Sequence, residues 1–166
     1  MRKLLVLFTV LLVLPATAYS RSDPRPGDGA LSIREGRGVV VLMAKGSITG
    51  RFERGKMTVT DPNPYDPRRP VVYGASRTTY RGARTTIYQG RNIRFRLIGA
   101  HYTMRIEGRG IFLSAIARGR GMVDGAGDPA AGIFYDGVWS LNDEEYRSLP
   151  DEQTGFQLVA PPASSP

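Results

Sequence analysis

The sequence predicts an all-β fold: an antiparallel meander that packs as a sandwich or closes as a barrel of about 10–12 short strands. Short β-prone runs recur along the chain, and glycine-containing pairs separate them. In the middle of the chain, apolar and charged residues alternate with the period of a strand that has one face in the core. A β-solenoid is the alternative, because glycine-rich short strands also build solenoid coils.

The first strands are predicted at residues 31–35, 39–44, 47–53 and 57–61. Gly36-Arg37, Lys45-Gly46 and Arg54-Gly55 separate them. Two-residue turns with glycine supply the positive φ of tight hairpins, so we expect these strands to pair as neighbours. Residues 61–70 contain four prolines, which predicts a loop or crossover rather than a central strand.

Short β-prone runs separated by glycines occur again after this loop. Strands are predicted at residues 71–73, 77–81, 85–89, 93–98, 101–107, 111–117 and 121–124. A hairpin about Asp136-Gly137 joins 133–135 to 138–141, a helical turn is expected within 143–149, and 155–159 is expected to return as an edge strand.

The hydrophobic pattern predicts which side chains are buried. Ile93, Phe95 and Leu97 alternate with arginines, and Tyr102, Met104 and Ile106 alternate with polar residues, so each set faces the core. A turn at Gly99-Ala100 would place Arg94 opposite Arg105 on the solvent face. Residues 39–43 and 111–117 are apolar at successive positions, which predicts central strands covered on both faces.

One short motif occurs twice. Glu-Gly-Arg-Gly stands at residues 35–38 and again at 107–110, and an apolar run follows each copy. The repeat indicates either a duplicated meander or two equivalent strands in a pseudo-symmetric sandwich, and chance in a glycine-rich chain is the alternative.

The N-terminal residues predict export. Arg2 and Lys3, an apolar run over 4–14 and small residues at 16 and 18 have the order of a secretory signal peptide. The apolar run would rise only about 16 Å as a helix, against about 30 Å of bilayer core, so we expect cleavage after Ala18 and no membrane-spanning segment afterwards. Residues 19–29 are expected to be a spacer, 30–160 a single β domain and 161–166 a disordered tail. The chain has no cysteine, which excludes disulfides and thiolate chemistry.

Charge is distributed unevenly along the chain, whose formal net charge is +8. Twelve arginines between positions 68 and 120 are opposed by Glu107, whereas eight acidic residues follow Gly121 against Arg147. Arginine binds carboxylate and phosphate groups, and aromatic rings stack on sugars or bases, so this surface suits an anionic polymer. The predicted ligand-binding residues are Arg94, Arg96, Arg105 and Tyr102. Two alternatives are that arginines only solubilise the strands, and that the acidic tail neutralises them.

Catalytic and metal sites are further candidates. His101 and Ser114 could form a triad with Asp61, Asp124 or Asp136, although Ser114 lies within an apolar run without a nucleophile elbow. Calcium could use the oxygen ligands of Asp61, Asn63 and Asp66, or of Asp124 and Asp128, but neither set matches a known loop pattern. One histidine without cysteine cannot build the usual zinc sites, and no cofactor is expected.

Trp139 lies close in sequence to Phe134 and Tyr135, and it is expected in the core rather than at a sugar site. The sequence therefore predicts an exported, non-enzymatic module of the envelope or extracellular space. Its expected partner is an anionic glycopolymer, another envelope component or a surface protein, and not intracellular nucleic acid. A small hydrolase that uses loop carboxylates and a structural subunit of a surface assembly are the alternatives.

Overall fold

The computed structural model describes residues 27–127 and 136–161, and within these ranges it contains strands and no helix. The strands are β1 (Gly29–Thr60), β2 (Val71–Arg81), β3 (Thr85–Gly125), β4 (Val138–Leu141), β5 (Arg147–Ser148) and β6 (Thr154–Leu158). Their order in the sheet is β2-β3-β1-β4-β5, with β6 also paired to β3, and every pair is antiparallel. The predicted all-β antiparallel class is confirmed.

Two long strands build most of the sheet. Residues 29–60 of β1 pair with 117–85 of β3, and residues 38–60 pair a second time with 125–103 of the same strand. Val40, for example, lies opposite both Ile106 and Val123, while Ile106 also lies opposite Met57. A line across the sheet therefore crosses β1 and β3 more than once, and the two strands coil about each other. The sheet does not close, because β2 and β5 remain as its ends. Neither the barrel nor the solenoid alternative is therefore supported.

The predicted hairpins within β1 and within β3 are wrong. Lys45 lies opposite His101 and Arg118, and Arg54 lies opposite Arg91 and Arg109, so the chain continues through these glycine pairs instead of reversing. The glycines accompany bulges and close strand contacts, and β3 pairs with both edges of β1. Arg94 consequently lies opposite Arg51 rather than Arg105. The fold has fewer and longer strands than predicted, and a hairpin turn joins β2 to β3 at residues 82–84.

The core lies on one face of the coiled sheet. Ile93, Phe95 and Leu97 are buried, as are the alternating residues from Tyr102 to Ile106, which confirms the period-two prediction. Residues 39–43 and 111–117 are not covered on both faces: their alternate side chains, such as Val41 and Phe112, are half-buried, and Ser114 is exposed. The reason is that a single curved sheet surrounds the core, and no second sheet packs on its outside within the described residues. We call that outside the outer face.

The remaining strands pair at the edges of β1 and β3. The predicted strands at 138–141 and 155–159 are confirmed as β4 and β6, although β4 pairs with β1 and β6 with β3. Residues 143–149 form a turn and the two-residue β5 instead of a helical turn. The predicted leader, most of the predicted spacer, the strand at 133–135 and the last five residues lie outside the described ranges. No helix in the described part of the chain has the length and hydropathy of a membrane span.

Candidate anion-binding site

Four arginines lie side by side across neighbouring segments of the sheet. Arg91 pairs with Arg54, Arg54 with Arg109, and Arg109 with Arg37. Arg91, Arg54 and Arg109 are exposed and Arg37 is half-buried. We call these four residues the arginine row. Since adjacent strands are about 4.8 Å apart, the row extends over roughly 14 Å at right angles to the strands.

A second row, made of glycines, runs beside the arginines. Gly90 pairs with Gly55, Gly55 with Gly108, and Gly108 with Gly38, each one position from an arginine of the first row. We call these residues the glycine row. Four neighbouring strand segments therefore have no side chain at this line. Their backbone lies beside the arginines, without side chains to cover it.

Close contact between strands explains why these positions carry glycine. A Cβ atom on Gly38 would overlap the carbonyl oxygen of Asp124, and one on Gly55 would overlap the carbonyl oxygen of Glu107. Gly38 also has a φ of +132°, which L side chains rarely adopt. The pairing of β1 with β3 is irregular where residues 33–37 lie opposite 109–113, at one end of the same line. The glycine row is thus a line of close strand contacts with a bulge at one end, which we call the bend, and the arginine row lies along it.

The two Glu-Gly-Arg-Gly segments meet at this bend. Residues 35–38 of β1 lie antiparallel to residues 107–110 of β3, with Arg37 opposite Arg109 and Gly38 opposite Gly108. The repeat therefore marks two neighbouring strands that contribute the same residue types to one place. This arrangement fits the interpretation of two equivalent strands better than that of a duplicated meander.

The rows border a cleft of about 500 Å³. Its lining residues are Arg37, Gly38, Val39, Arg54, Glu107, Gly108, Arg109 and Ala126. Glu107 is the acidic residue of this lining, and its carboxylate is already shared between Lys56 Nζ at 2.8 Å and Arg105 Nε at 2.6 Å. Hydrogen bonds from Lys56 and Arg105 hold the pKa of Glu107 below its ordinary value. The cleft therefore carries a surplus of positive charge.

Within the described residues, the four guanidinium groups of the arginine row form no hydrogen bond or ion pair. Glu53 is a second carboxylate near the row, since its side chain lies where a Cβ atom of Gly110 would be. Like charges directly opposite each other destabilise a sheet, typically by some tenths of a kcal/mol per pair. An anion placed between these arginines would remove that repulsion.

Asp136 closes one end of the arginine row. Its backbone carbonyl accepts a hydrogen bond from the Arg37 N–H at 2.8 Å, and its side chain is buried, with no hydrogen-bond partner for Oδ1 among the residues that the structure describes. Burial raises the pKa of Asp136, Arg37 opposes that shift, and Asp151 adds to it. Arg37 therefore interacts electrostatically with this carboxylate without an ion pair to it in the described residues, and Arg54 and Arg109 form the centre of the row.

The predicted ligand-binding arginines are on the outer face, but they do not form one cluster. Arg94 lies between Arg51 and Tyr73, and Arg96 lies between Thr49 and Val71. Arg94 and Arg96 are exposed, and they follow Arg91 on β3 by three and five positions. Arg105 lies opposite Val41 and Thr58, away from Arg94, and it is paired with Glu107. The structure does not bring Arg105 together with Arg94 and Arg96.

Tyr102 cannot contact a ligand on the outer face, which corrects its predicted role. It is fully buried, and its hydroxyl donates a hydrogen bond of 2.5 Å to the carbonyl oxygen of Arg68. Burial, followed by the charges of Asp61 and Asp66, raises its pKa to about 12. Tyr102 therefore anchors the proline-rich loop over the core.

No model of a known protein family, no curated protein and no solved structure matches this chain.

The residues of the possible catalytic triad are dispersed. Ser114 lies opposite Thr49 and Ser32, whereas His101 lies opposite Lys45. Thr49 and Lys45 are four positions apart on β1, or about 13 Å along a strand. Asp61 directly follows β1, and its carboxylate accepts a hydrogen bond from the Asn63 N–H at 2.9 Å. The described residues place no acid, base and nucleophile together.

The possible calcium ligands are also separated or occupied. Asp61 and Asp66 each accept a backbone N–H two residues ahead, at 2.9 and 2.7 Å, as turn residues do. Asp128 lies outside the described residues, and within those ranges no three acidic or histidine side chains form a metal-binding group. Trp139 is buried and packs against Phe156 with ring centroids 5.5 Å apart, which confirms its predicted place in the core.

The predicted acidic tail, residues 124–152, reaches the arginine row at one end, where Asp136 lies beside Arg37. Within the described residues, none of its carboxylates forms an ion pair with an arginine of the row. Neutralisation of the whole row by the tail therefore stays a prediction. Sequence reasoning missed Arg37, Arg54, Arg91 and Arg109 as a group. The repeated Glu-Gly-Arg-Gly segment was a usable signal for Arg37 and Arg109.

Proposed function

We propose that this chain is an exported, non-enzymatic module that binds an anionic polymer of the cell envelope or extracellular space through the arginine row. The alignment of Arg91, Arg54, Arg109 and Arg37 beside a bare backbone is the observation that carries the proposal. Arg94 and Arg96 are further exposed arginines of β3. Export rests on the leader-like sequence of residues 1–18.

The geometry favours an extended ligand over a small one. A row of roughly 14 Å offers successive guanidinium groups at the spacing of strands, so several anionic groups of one chain could bind together. Each arginine can hold a phosphate, sulfate or carboxylate by two parallel hydrogen bonds. Contacts of this kind depend on salt and give affinity rather than recognition of a sequence.

The experiment compares retention on phosphocellulose and on heparin across a salt gradient. We expect Arg54→Ala plus Arg109→Ala to lower affinity at least about tenfold, because each charge-assisted hydrogen bond contributes about 1.5–3 kcal/mol. The matched control is Arg77→Ala plus Arg120→Ala, which removes the same charge from exposed positions outside the row. Equal elution of the two variants would reject the arginine row as the site.

A second variant separates shape from charge. Arg54→Lys plus Arg109→Lys keeps the net charge but loses the planar, bidentate donor. We expect it to bind more weakly than the unaltered chain. Thermal unfolding with added polymer provides the second readout, because a ligand that binds the folded state raises its melting temperature.

A further inference from the structure

The two ends of the sheet carry opposite charge. β2 is one end, and its exposed arginines are Arg77 and Arg81, followed by Arg84 in the turn. β5 is the other end, and the exposed acids Asp143, Glu144, Glu145, Asp151 and Glu152 flank it. We call the first the basic edge and the second the acidic end. Between positions 67 and 106 the chain contains no aspartate or glutamate at all.

The basic edge and the acidic end do not neutralise each other's charge within one molecule. β2 packs along β3, whereas the acidic end adjoins β1 and β4. No ion pair joins them within residues 27–127 and 136–161. At the acidic end, Arg34 and Arg147 lie over the rings of Tyr146 and Trp139, each 4.2 Å from the centroid. The surplus charge at either end is therefore available to another molecule.

The basic edge is also open for contact. One side of β2 pairs with β3, and its other side has no strand beside it in the described residues. Tyr73 and Tyr80 are 68% and 75% exposed, so large apolar surface accompanies the charge. Unprotected edges are recognised docking sites, and arginine and tyrosine are enriched where proteins bind each other.

We infer that copies of this chain associate head to tail, with the basic edge of one copy against the acidic end of the next. The charge complementarity of the two ends identifies a second copy as the occupant. Because the two contacting surfaces differ, the contact is heterologous and extends to rings or chains rather than stopping at a two-fold dimer. This inference is independent of the arginine row and of the proposed polymer.

Analytical ultracentrifugation of the purified chain without polymer tests the inference. We expect reversible association beyond the dimer that grows with protein concentration and weakens between low and moderate salt, as the screening length falls from about 30 Å at 0.01 M to about 10 Å at 0.1 M. A chain that remains monomeric at low salt, or that stops at the dimer, would overturn it.

Charge reversal makes the test specific. Arg77→Glu plus Arg81→Glu and, separately, Glu144→Lys plus Glu145→Lys should each abolish association, because both ends of each variant then have the same sign. An equimolar mixture of the two variants should associate again, since unlike ends are restored between them. Association of either variant alone, or no association of the mixture while both retain their far-ultraviolet circular dichroism, would contradict head-to-tail contact. Retention on phosphocellulose by Arg54→Ala plus Arg109→Ala reports separately on the arginine row.

Discussion

Two stretches of β3 use arginine in different ways. At residues 93–97, the strand is regular, and Arg94 and Arg96 alternate with buried residues in a simple one-face pattern. At residues 107–111, the strand is bulged, and Arg109 lies in line with Arg54 and Arg37 from neighbouring segments. The first stretch builds the core and leaves charges spaced along a strand. In the second stretch the alternation is interrupted, and arginines of neighbouring strands lie next to each other. A binding site can arise from sheet residues in this way.

The largest effect is expected at the bend itself. Gly38→Ala places a Cβ atom against the carbonyl of Asp124 at a φ of +132°, so it should lower the free energy of unfolding by about 3 kcal/mol or more. Urea unfolding measures the change. Gly82→Ala is the control, because Gly82 has a φ of +65° but no atom within 4 Å of the added methyl group. If both substitutions cost the same, close strand contact at the bend is not the reason for glycine there.

The regular stretches were the predictable part of this molecule. Ile93 to Leu97 and Tyr102 to Ile106 could be assigned to the core because alternation is a local property of the sequence. The arginine row could not, because its members come from positions 37, 54, 91 and 109 and meet only through the registers of two long strands. The same glycines that suggested hairpins permit continuous strands to bend. A single glycine after a polar residue is compatible with a hairpin turn and with a bend in a continuous strand. Pairing with distant parts of the chain decides which of the two forms.

A smaller effect is expected from the regular region, at Tyr102. Tyr102→Phe removes the hydrogen bond to the carbonyl of Arg68 and should cost about 1–2 kcal/mol at neutral pH. Tyr73→Phe, at an exposed position, should change little.

The pH dependence of this tyrosine gives a second test. Its pKa is raised from 10.0 to about 12, so the unfolded chain loses the proton first and the folded state is the one that retains it. The stability contributed by Tyr102 should be complete below pH 10 and lost as pH rises towards 12. Unfolding curves over this interval should fall more steeply for the unaltered chain than for Tyr102→Phe. Parallel curves would show that Tyr102 does not titrate in this way.

The smallest effect on stability is expected from Glu107→Gln at the border of the bend. The same substitution tests most directly whether the bend binds the polymer. Lys56 and Arg105 hold this carboxylate at a half-exposed position, so the substitution should cost less than about 1 kcal/mol. Because the pKa of Glu107 is lowered, its contribution is present above the ordinary carboxyl pKa and is lost as pH falls. Binding should change in the opposite direction to stability: the cleft loses its negative charge and frees Lys56 and Arg105, so retention on phosphocellulose should increase. Glu145→Gln removes the same charge from the acidic end and should alter retention less. A Glu107→Gln variant that binds no more tightly than Glu145→Gln would mean that the polymer does not enter the cleft beside the arginine row.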